Sequence, residues 1–339
     1  MVWPQPPDAL PSCDVHALNP QDLEMSLAER SAPPAQQAQP SVHAQAAQTV
    51  TLRHVHRSFA TPTGPRSVLA DVDLTITAGE IVAVLGTSGC GKSTLLRQVS
   101  GLDSPSAGEI LIGSTAVEGV DARTAVAFQE PRLLPWRTLA QNVRLGLPRG
   151  TPKAAGAARV AELLELVGLT ASADLRPRQV SGGMAQRASL ARALARNPAV
   201  LLLDEPFGAL DALTRLKMQD LLLTVHAAEP TTVVLVTHDV DEALVLADRI
   251  VLLRTVDPAA SADAEAARSV RAVIEVPGGR PRDHADPELA ALRTELLAGL
   301  GVPARVAGQR HAPAGPTPSP GPTPSPTPAT SPVPTEESA

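Results

Sequence analysis

The chain has 339 residues, which is enough for one large or two modest domains. Hydrophobic residues make up 43% and aromatic residues only 1%, with no Tyr, so the core has to be built from Leu, Val, Ile and Ala. The formal net charge is −6, and the lysines are Lys92, Lys153 and Lys217. No basic footprint for phosphates is visible, which argues against a nucleic-acid-binding protein. Two cysteines, Cys13 and Cys90, exclude a disulfide framework.

The two ends of the chain differ in composition from its middle. Residues 1–48 are rich in Pro, Ala and Gln, and residues 301–339 are rich in Pro, Thr and Ser. Such segments bury too little apolar surface to offset chain entropy, so both are predicted to be disordered tails. The start of the chain carries neither a basic stretch nor an apolar run, so no signal peptide is predicted. No segment reaches about 18 consecutive apolar residues, so no membrane-spanning helix is predicted. A cytosolic chain is expected.

The middle, residues 49–300, alternates strand and helix patterns. An alternating segment and three continuous apolar runs predict strands at 72–76, 81–85, 201–203 and 233–236. Five helices are predicted between and after these strands. The first begins near Lys92, and the second runs from Thr151-Pro152 to Gly168. The third carries an apolar stripe on one face, and the last two begin at Asp239 and at Asp286-Pro287; the stripe consists of Met218, Leu221, Leu222 and Val225. Glu242 is expected to complete a capping box with Asp239. Residues 257–272 are interpreted as a flexible loop. This order predicts an α/β domain with a largely parallel sheet.

A phosphate-binding loop is predicted directly after the strand at 81–85. Residues 86–93 match G-x-x-x-x-G-K-[ST] between a predicted strand and a predicted helix, which is the context that confirms the motif. Backbone N–H groups and the helix N-terminus favour phosphate oxygens there. Lys92 is expected to reach the β- and γ-phosphates and Ser93 to bind Mg²⁺, while Cys90 is interpreted as a small filler. The predicted ATP-binding residues of this segment are Gly86, Thr87, Ser88, Gly89, Cys90, Gly91, Lys92, Ser93 and Thr94.

Two adjacent acids end the strand at 201–203. An apolar strand that runs into Asp204-Glu205 places carboxylates at the sheet edge where α/β proteins bind ligands. Asp204 is expected to belong to the Mg²⁺ shell. Glu205 is expected to act as the general base that accepts a proton from the attacking water.

A second glycine turn before a helix, Val180-Ser181-Gly182-Gly183-Met184-Ala185-Gln186-Arg187, resembles the signature motif of ABC transporter ATPases, usually written LSGGQ. Val180 and Met184 depart from the usual Leu and Gln, whereas Ser181 and both glycines remain. The resemblance implies that two cassettes pair head to tail, and that Ser181, Gly182, Gly183 and Met184 cap the ATP held by the partner's phosphate loop.

Four further segments resemble motifs of the same family and follow in the family's order. Phe128-Gln129-Glu130 resembles the Q-loop, in which Gln129 contacts Mg²⁺ and senses the transmembrane partner. Ala209-Leu210-Asp211 resembles the D-loop, which crosses the dimer through Asp211. Thr237-His238-Asp239 resembles the switch region, with His238 gripping the γ-phosphate. Phe59 stands where the family places an aromatic residue that stacks on adenine.

This resemblance, which covers roughly residues 50–300, carries expectations about the whole assembly. It implies a P-loop NTPase cassette with a mixed, largely parallel core sheet, an antiparallel N-terminal β-subdomain and a helical signature subdomain at about 130–190. The implied ligands are ATP and Mg²⁺. The implied partners are a second cassette in a homodimer, two copies of a transmembrane permease and, indirectly, a periplasmic or lipid-anchored solute-binding protein, with no nucleic acid. The implied location is the cytoplasmic face of the cell membrane.

Within the superfamily, residues 128–136 and 208–215 look like the nitrate, sulfonate and taurine importer group. Residues 132–136, 213–221 and 237–243, together with Arg280-Pro281-Arg282, resemble the aliphatic sulfonate ATPases most. Aliphatic sulfonates are therefore the expected solute, and taurine or nitrate the alternatives. The apolar segment Leu133–Trp136 is interpreted as part of a groove for a permease helix.

Two other classes of function are weighed against the importer. Non-transport ABC ATPases of translation carry tandem cassettes, and those of DNA repair insert long coiled coils between the phosphate loop and the signature. Here a single cassette is present, Lys92 and Ser181 are 89 residues apart, and no sustained heptads lie between them. A non-enzymatic ATP sensor would require the loss of Glu205 or His238, and both are present.

Overall fold

The computed structural model describes residues 46–62, 64–208, 210–256, 268–283 and 286–301. Almost all of both predicted tails lies outside these ranges, as do residue 209 of the predicted D-loop and most of the loop predicted at 257–272. The strands are β1 (Val50–Thr61), β2 (Gly64–Ile76), β3 (Ile81–Gly86), β4 (Ala107–Ile112), β5 (Thr115–Ala116), β6 (Thr124–Ala127), β7 (Val200–Asp204), β8 (Thr232–Val236), β9 (Arg249–Leu253) and β10 (Val270–Glu275). The helices are α1 (Lys92–Val99), α2 (Leu139–Arg144), α3 (Lys153–Leu166), α4 (Gly182–Ala195), α5 (Ala212–Ala228), α6 (Val240–Leu246) and α7 (Pro287–Gly299).

The strands form two sheets of different kinds. An antiparallel sheet has the order β2-β1-β4-β5, and a second sheet has the order β10-β9-β3-β8-β7-β6. In the second sheet β9, β3, β8, β7 and β6 run parallel, and among the described strands of this sheet β10 alone pairs antiparallel, with β9. The predicted α/β fold, with an antiparallel N-terminal sheet and a mixed, largely parallel core sheet, is confirmed.

Strand β3 explains why a continuous apolar run lies at the centre of the core sheet. Its residues are all buried, and successive side chains point to opposite faces. Ile81, Ala83 and Leu85 join the cluster that contains the apolar sides of α4, α5 and α6. Val82 and Val84 join the cluster formed with α1 and the antiparallel sheet. A strand covered on both faces has no polar side, as the sequence of this strand predicts.

The start of β10 contradicts one prediction. Residues 270–272 fall within the loop that the sequence predicts at 257–272, but they begin a strand whose residues alternate between partly buried and exposed. Pairing with β9 accounts for the difference, because Ile274 lies opposite Ile250 and Glu275 opposite Arg249. The period-2 alternation is short and follows an Ala- and Ser-rich stretch, so local composition hid it.

Helices α2, α3 and α4 follow β6 and precede β7 along the chain, in the segment where a helical subdomain is predicted, and they pack on one another. Helix α3 begins at Lys153 with Pro152 as its N-cap, one residue later than predicted. Gly168 adopts a left-handed φ of 63° just past the C-cap of α3, so the predicted end is confirmed. Among the described residues, no helix combines the length and the apolar character needed to cross a bilayer.

The predicted start of α6 is half right. The Asp239 carboxylate accepts from the backbone N–H groups of Asp241 and Glu242, which confirms it as the N-cap. The Glu242 side chain does not complete a capping box, because its Oε2 accepts a hydrogen bond from Thr237 Oγ1 at 2.7 Å. Glu242 is only 3% exposed, so its carboxylate turns toward a buried donor instead of the solvent-facing helix start.

Candidate functional site

Four adjacent strands end at one edge of the core sheet and bring the candidate residues there. The order β3-β8-β7-β6 places the carboxyl ends of these strands side by side. The phosphate loop follows β3, and His238 lies two residues beyond β8. Asp204 ends β7, and Gln129 lies two residues beyond β6. Residues scattered over about 150 positions of the chain therefore share one edge, where α/β sheets bind their ligands.

The loop between β3 and α1 has the shape of an anion cradle. Gly89 and Gly91 adopt φ values of 80° and 104°, which side-chain-bearing residues rarely adopt. A side chain at Gly91 would also press against Leu69, with a Cβ only 2.6 Å from its Cδ2. Lys92 is 8% exposed, and its ammonium donates to the carbonyls of Gly86 at 2.8 Å and Thr87 at 3.2 Å. The cation is thus held across the mouth of the loop, at the N-terminus of α1.

A cleft of about 420 Å³ lies over this loop, within the size range of small-molecule sites. Glu205 and His238 face the loop across the cleft, so the structure brings both to the predicted phosphate site. Val68, from β2, is a further wall residue that nothing in the sequence distinguished. The remaining lining residues are Ser88, Gly89, Gly91, Lys92, Ser93 and Thr94.

Ser93, in the first turn of α1, contacts Asp204 at the end of β7. Ser93 Oγ donates to Asp204 Oδ1 at 3.1 Å, which joins α1 to the end of β7. Burial raises the pKa of Asp204, and the neighbouring Glu205 carboxylate raises it further. A divalent cation would relieve this cost. Hydroxyl and carboxylate oxygens are the ligands that Mg²⁺ prefers, so the donor set fits that ion.

Glu205 has a backbone conformation that is unusual for its residue type. Its φ is 45°, although its N–H still donates to Val236 O at 2.8 Å and extends the ladder between β7 and β8. Its Oε2 lies 3.3 Å from His238 Nδ1. The side chain of Glu205 is 24% exposed and that of His238 is 65% exposed, so both are accessible from the cleft. Left-handed non-glycine residues are enriched at functional sites.

Gln129 approaches the same acid from β6. A Cβ added to Gly208 would lie 3.6 Å from Gln129 Nε2 and 3.8 Å from Glu205 Oε2. A Cβ at these distances would make ordinary van der Waals contacts, so the Gln129 amide and the Glu205 carboxylate both lie next to Gly208. Gly208 belongs to the segment 208–215 that carries the family resemblance, but the sequence predicts no role at the site for it.

The two other predicted nucleotide contacts have different surroundings. Cys90 is fully buried in the core cluster, and burial raises the pKa of its thiol, as expected of a filler. Phe59 is 39% exposed on β1 and pairs with Arg66 of β2, two residues from Val68. The Arg57 guanidinium lies 4.4 Å from the centroid of the Phe59 ring, within cation–π distance. Phe59 is not among the lining residues of the cleft.

The signature residues lie at the N-terminus of α4. Ser181 is the N-cap and accepts from the backbone N–H of Met184, while Ser181 and Gly182 are exposed. Met184 is half-buried against the core. Among the described residues that line the cleft, none comes from this turn. Gln186 Nε2 donates to Phe128 O at 3.2 Å, so α4 is tied to the segment that carries Gln129.

Asp211 is the N-cap of α5 and lies near the signature turn. Its carboxylate accepts from Thr214 N at 3.0 Å and from Thr214 Oγ1 at 2.7 Å, and the Thr214 hydroxyl bond holds the pKa of Asp211 below its usual value. A Cβ at Gly183 would lie 2.7 Å from Thr214 Cγ2, so Gly183 is required for this close approach. The predicted D-loop and signature are therefore neighbours within one chain.

A glycine loop that opens a helix, with Asp204 and Glu205 at the end of β7 in the same sheet, defines the class of P-loop nucleoside triphosphatases. A family model described as ABC transporter matches residues 69–208. The aliphatic sulfonates import ATP-binding protein SsuB 2 of Burkholderia lata is 49% identical over 234 residues, which cover 69% of this chain and 81% of that protein. The nitrate import ATP-binding protein NrtD of Synechococcus elongatus is 43% identical over 250 residues, which cover 72% and 88%.

A comparison with solved structures also indicates an ATP-binding cassette. The dimeric post-hydrolysis ATP-binding cassette MJ0796, bound to ADP and Pi, is 31% identical with a TM-score of 0.58 and covers 68% of this chain and 100% of its own. The chain belongs to the ABC transporter family, as an ATP-binding protein of that family. It is an ATPase, and the resemblance stated from its motifs is confirmed.

Proposed function

We propose that this chain is the ATP-hydrolysing subunit of an importer of aliphatic sulfonates and works with a separate permease. The observation that carries the solute is the agreement among relatives. Proteins called aliphatic sulfonates import ATP-binding proteins in Burkholderia lata, Xanthomonas axonopodis and Pseudomonas aeruginosa are 49%, 47% and 46% identical to it. Nitrate is the second candidate, because the Synechococcus elongatus protein is 43% identical.

The geometry of the cleft supports a hydrolytic step in which water attacks the γ-phosphorus of ATP. Glu205 takes a proton from that water, and the bond between the γ-phosphorus and the β–γ bridging oxygen breaks, giving ADP and phosphate. His238 binds the γ-phosphate from the side where it meets Glu205. Lys92 and the loop N–H groups neutralise and hold the β- and γ-phosphates.

The fit of Ser93, Asp204 and Gln129 to a hard cation supports Mg²⁺ as the metal ion. Ser93 and Asp204 already meet at 3.1 Å, and Gln129 converges on the same edge through Gly208. Ser93, Asp204 and Gln129 would hold the ion, which would supply positive charge that offsets the negative charge of the phosphates. Adenine would stack on the Phe59 ring, which already has the Arg57 guanidinium 4.4 Å from its centroid.

A second copy of the chain completes the site in this proposal. The exposed Ser181 and Gly182 at the start of α4 offer a helix N-terminus to an anion, and they do not line their own chain's cleft. In a head-to-tail pair, Ser181 to Met184 would cap the ATP of the other copy and Asp211 would lie at the contact. The dimeric MJ0796 cassette supports such a pairing.

The segment Leu133–Trp136 supports a contact with the permease. Leu133 packs against the core, whereas Trp136 is 67% exposed. Trp136 borders a groove of about 560 Å³ that also includes Arg176 and Arg178. We place two permease copies here, at the cytoplasmic face of the membrane, with a solute-binding protein acting indirectly on the far side.

Uptake assays in a strain deleted for the gene test the solute directly. Labelled alkanesulfonate, taurine and nitrate are compared in the deletion strain, in a strain complemented with the natural chain and in one complemented with Glu205→Gln. Loss of alkanesulfonate uptake, restored only by the natural chain, is the expected result. Loss of nitrate or taurine uptake instead would keep the ATPase and replace the solute. An unchanged uptake of all three would contradict the sulfonate proposal.

A further inference from the structure

The turn that carries His238 is held by a buried polar cluster. Thr237 Oγ1 donates to Glu242 Oε2 at 2.7 Å and accepts from the backbone N–H of Asp239 at 3.0 Å. The Asp239 carboxylate in turn caps α6. His238 lies between Thr237 and Asp239, so its position depends on this cluster of hydrogen bonds.

Arg215 enters the cluster from a different helix. Its Nη1 lies 2.9 Å from Asp239 Oδ2, and its Nε lies 3.6 Å from Glu242 Oε1. Glu242 is 3% exposed and the Arg215 side chain is 32% exposed, so solvent screens this pairing less than it would screen a surface pair. The guanidinium thus lies between two carboxylates that would otherwise repel each other.

The backbone of Arg215 lies in the helical turn that forms the predicted dimer contact. Arg215 is in the first turn of α5, where its backbone N–H donates to Asp211 O at 2.8 Å. The same turn contains Thr214, which binds the Asp211 carboxylate and packs against Gly183 of the signature. One helical turn therefore touches the D-loop, the signature and, through Arg215, the His238 turn.

We propose that Arg215 is a positioning residue that couples the D-loop to His238. When a second copy engages Asp211, the first turn of α5 is fixed, and Arg215 holds the Asp239 end of the switch turn in the position that keeps His238 beside Glu205. Arg215 does not line the nucleotide cleft. Its loss therefore slows hydrolysis while ATP binding is retained. This inference rests on the ATPase activity and on the pairing of two copies proposed above, and not on the identity of the solute.

Burial supports this role. Burial raises the pKa of Glu242, and the neighbouring Asp239 raises it further, whereas Arg215 lowers it. Glu242 Oε2 accepts the hydrogen bond from Thr237 while its other oxygen, Oε1, lies 3.6 Å from Arg215 Nε. Without the guanidinium, the two carboxylates lose their shared cation, and the turn is free to shift His238 away from Glu205.

The test is steady-state ATP hydrolysis by the full-length chain with Mg²⁺. For Arg215→Gln we expect kcat to fall at least about ten-fold, because His238 is no longer held beside Glu205 for the hydrolytic step. KM for ATP should change by less than about two-fold, because Lys92 and the phosphate loop still hold the nucleotide. Lys217→Gln is the matched control, since it removes the same charge from an exposed position of the same helix and should leave kcat unchanged. Arg215→Lys should recover part of the loss, because it restores the charge without the planar fork.

Asp239→Asn separates this role from folding. Asn is also a good N-cap, so α6 should keep its start while the charge that faces Arg215 is gone. We expect kcat to fall in this variant as well, and Arg215→Gln in the same chain to add much less than it does alone. Natural kcat in Arg215→Gln, a loss confined to KM, or full additivity in the double variant would each overturn the proposal. If Arg215→Gln does not fold, the Asp239→Asn and Arg215→Lys variants decide it alone, and natural kcat in both would refute it.

Discussion

Replacing Arg282 with Met is expected to destabilise the fold by about 2–4 kcal/mol, because a single guanidinium serves the open end of α6. The last carbonyls of a helix have no partner within the helix. Arg282 Nη1 donates to the carbonyl oxygens of Leu244 at 3.2 Å, Val245 at 3.4 Å and Ala247 at 2.7 Å. Its Nη2 donates to Val276 O at 3.2 Å, which joins the helix end to the chain after β10.

The magnitude follows from the number and kind of these bonds. A hydrogen bond from a charged donor contributes about 1.5–3 kcal/mol, and the carbonyls left behind lose that donor in a half-buried place. The bonds share one guanidinium and are not additive, so the total is set at about 2–4 kcal/mol. Since about 1 kcal/mol lowers Tm by roughly 2–4 °C in a domain of this size, Tm should fall by roughly 5–15 °C. Met keeps most of the apolar stem, so packing changes little.

Arg293→Met is the matched comparison. Arg293 also binds the α6 region, through Asp241 at 2.7 Å, but the two side chains are 53% and 42% exposed. An exposed ion pair is worth about 1 kcal/mol or less. Urea unfolding of both variants, followed by far-ultraviolet circular dichroism, measures the two free energies of unfolding. Equal losses in the two variants, or no loss in Arg282→Met, would refute the reasoning.

Three further outcomes are expected. Lys92→Ala should lose nucleotide binding, because the main cation on the β- and γ-phosphates is gone, and titration with a fluorescent ATP analogue that gives natural affinity would contradict this. In a Cys13→Ala background, N-ethylmaleimide should modify Cys90 at least about ten-fold more slowly in the native chain than in urea, since burial raises the pKa of the thiol and blocks access. Equal rates would show that Cys90 is not a buried filler. Deleting residues 1–45 should leave ATP hydrolysis unchanged, because that composition builds no core, and a large loss of turnover would show that the segment contributes to the cassette.

The parts of the fold that the sequence predicts are those that depend on neighbouring residues. The buried strands at 81–85, 201–203 and 233–236 are continuous apolar runs because helices or the second sheet cover both their faces. The phosphate loop is likewise local, since its glycines, its Lys and the helix that follows lie within residues 86–99. Local pattern is enough for such features.

Contacts between distant residues are the parts that the sequence does not reveal. In the sequence, Arg215 and Arg282 stand out only because they belong to segments that resemble the family. In the structure, Arg215 binds Asp239, 24 residues away, and Arg282 binds the carbonyl of Ala247, 35 residues away. Glu242 shows the same limit, because its spacing from Asp239 fits a capping box while the fold supplies Thr237 as a better buried partner. The tertiary environment decides which of two chemically reasonable partners a polar side chain takes.

The acid pair at the end of β7 shows how the fold turns a simple sequence feature into a site. Successive residues of a strand point to opposite faces, so Asp204 and Glu205 would diverge if the strand continued. The left-handed φ of 45° at Glu205 changes this, since the chain turns at that residue while its N–H stays bonded to Val236 O. Asp204 then meets Ser93 and Glu205 meets His238, on the same cleft. Backbone strain of this kind costs on the order of 1–3 kcal/mol and persists only where neighbours over-determine it. Phe207, 1% exposed in the core just beyond the turn, provides that anchor. The conformation that opposes stability at Glu205 is therefore the one that places its carboxylate where a catalytic base is needed.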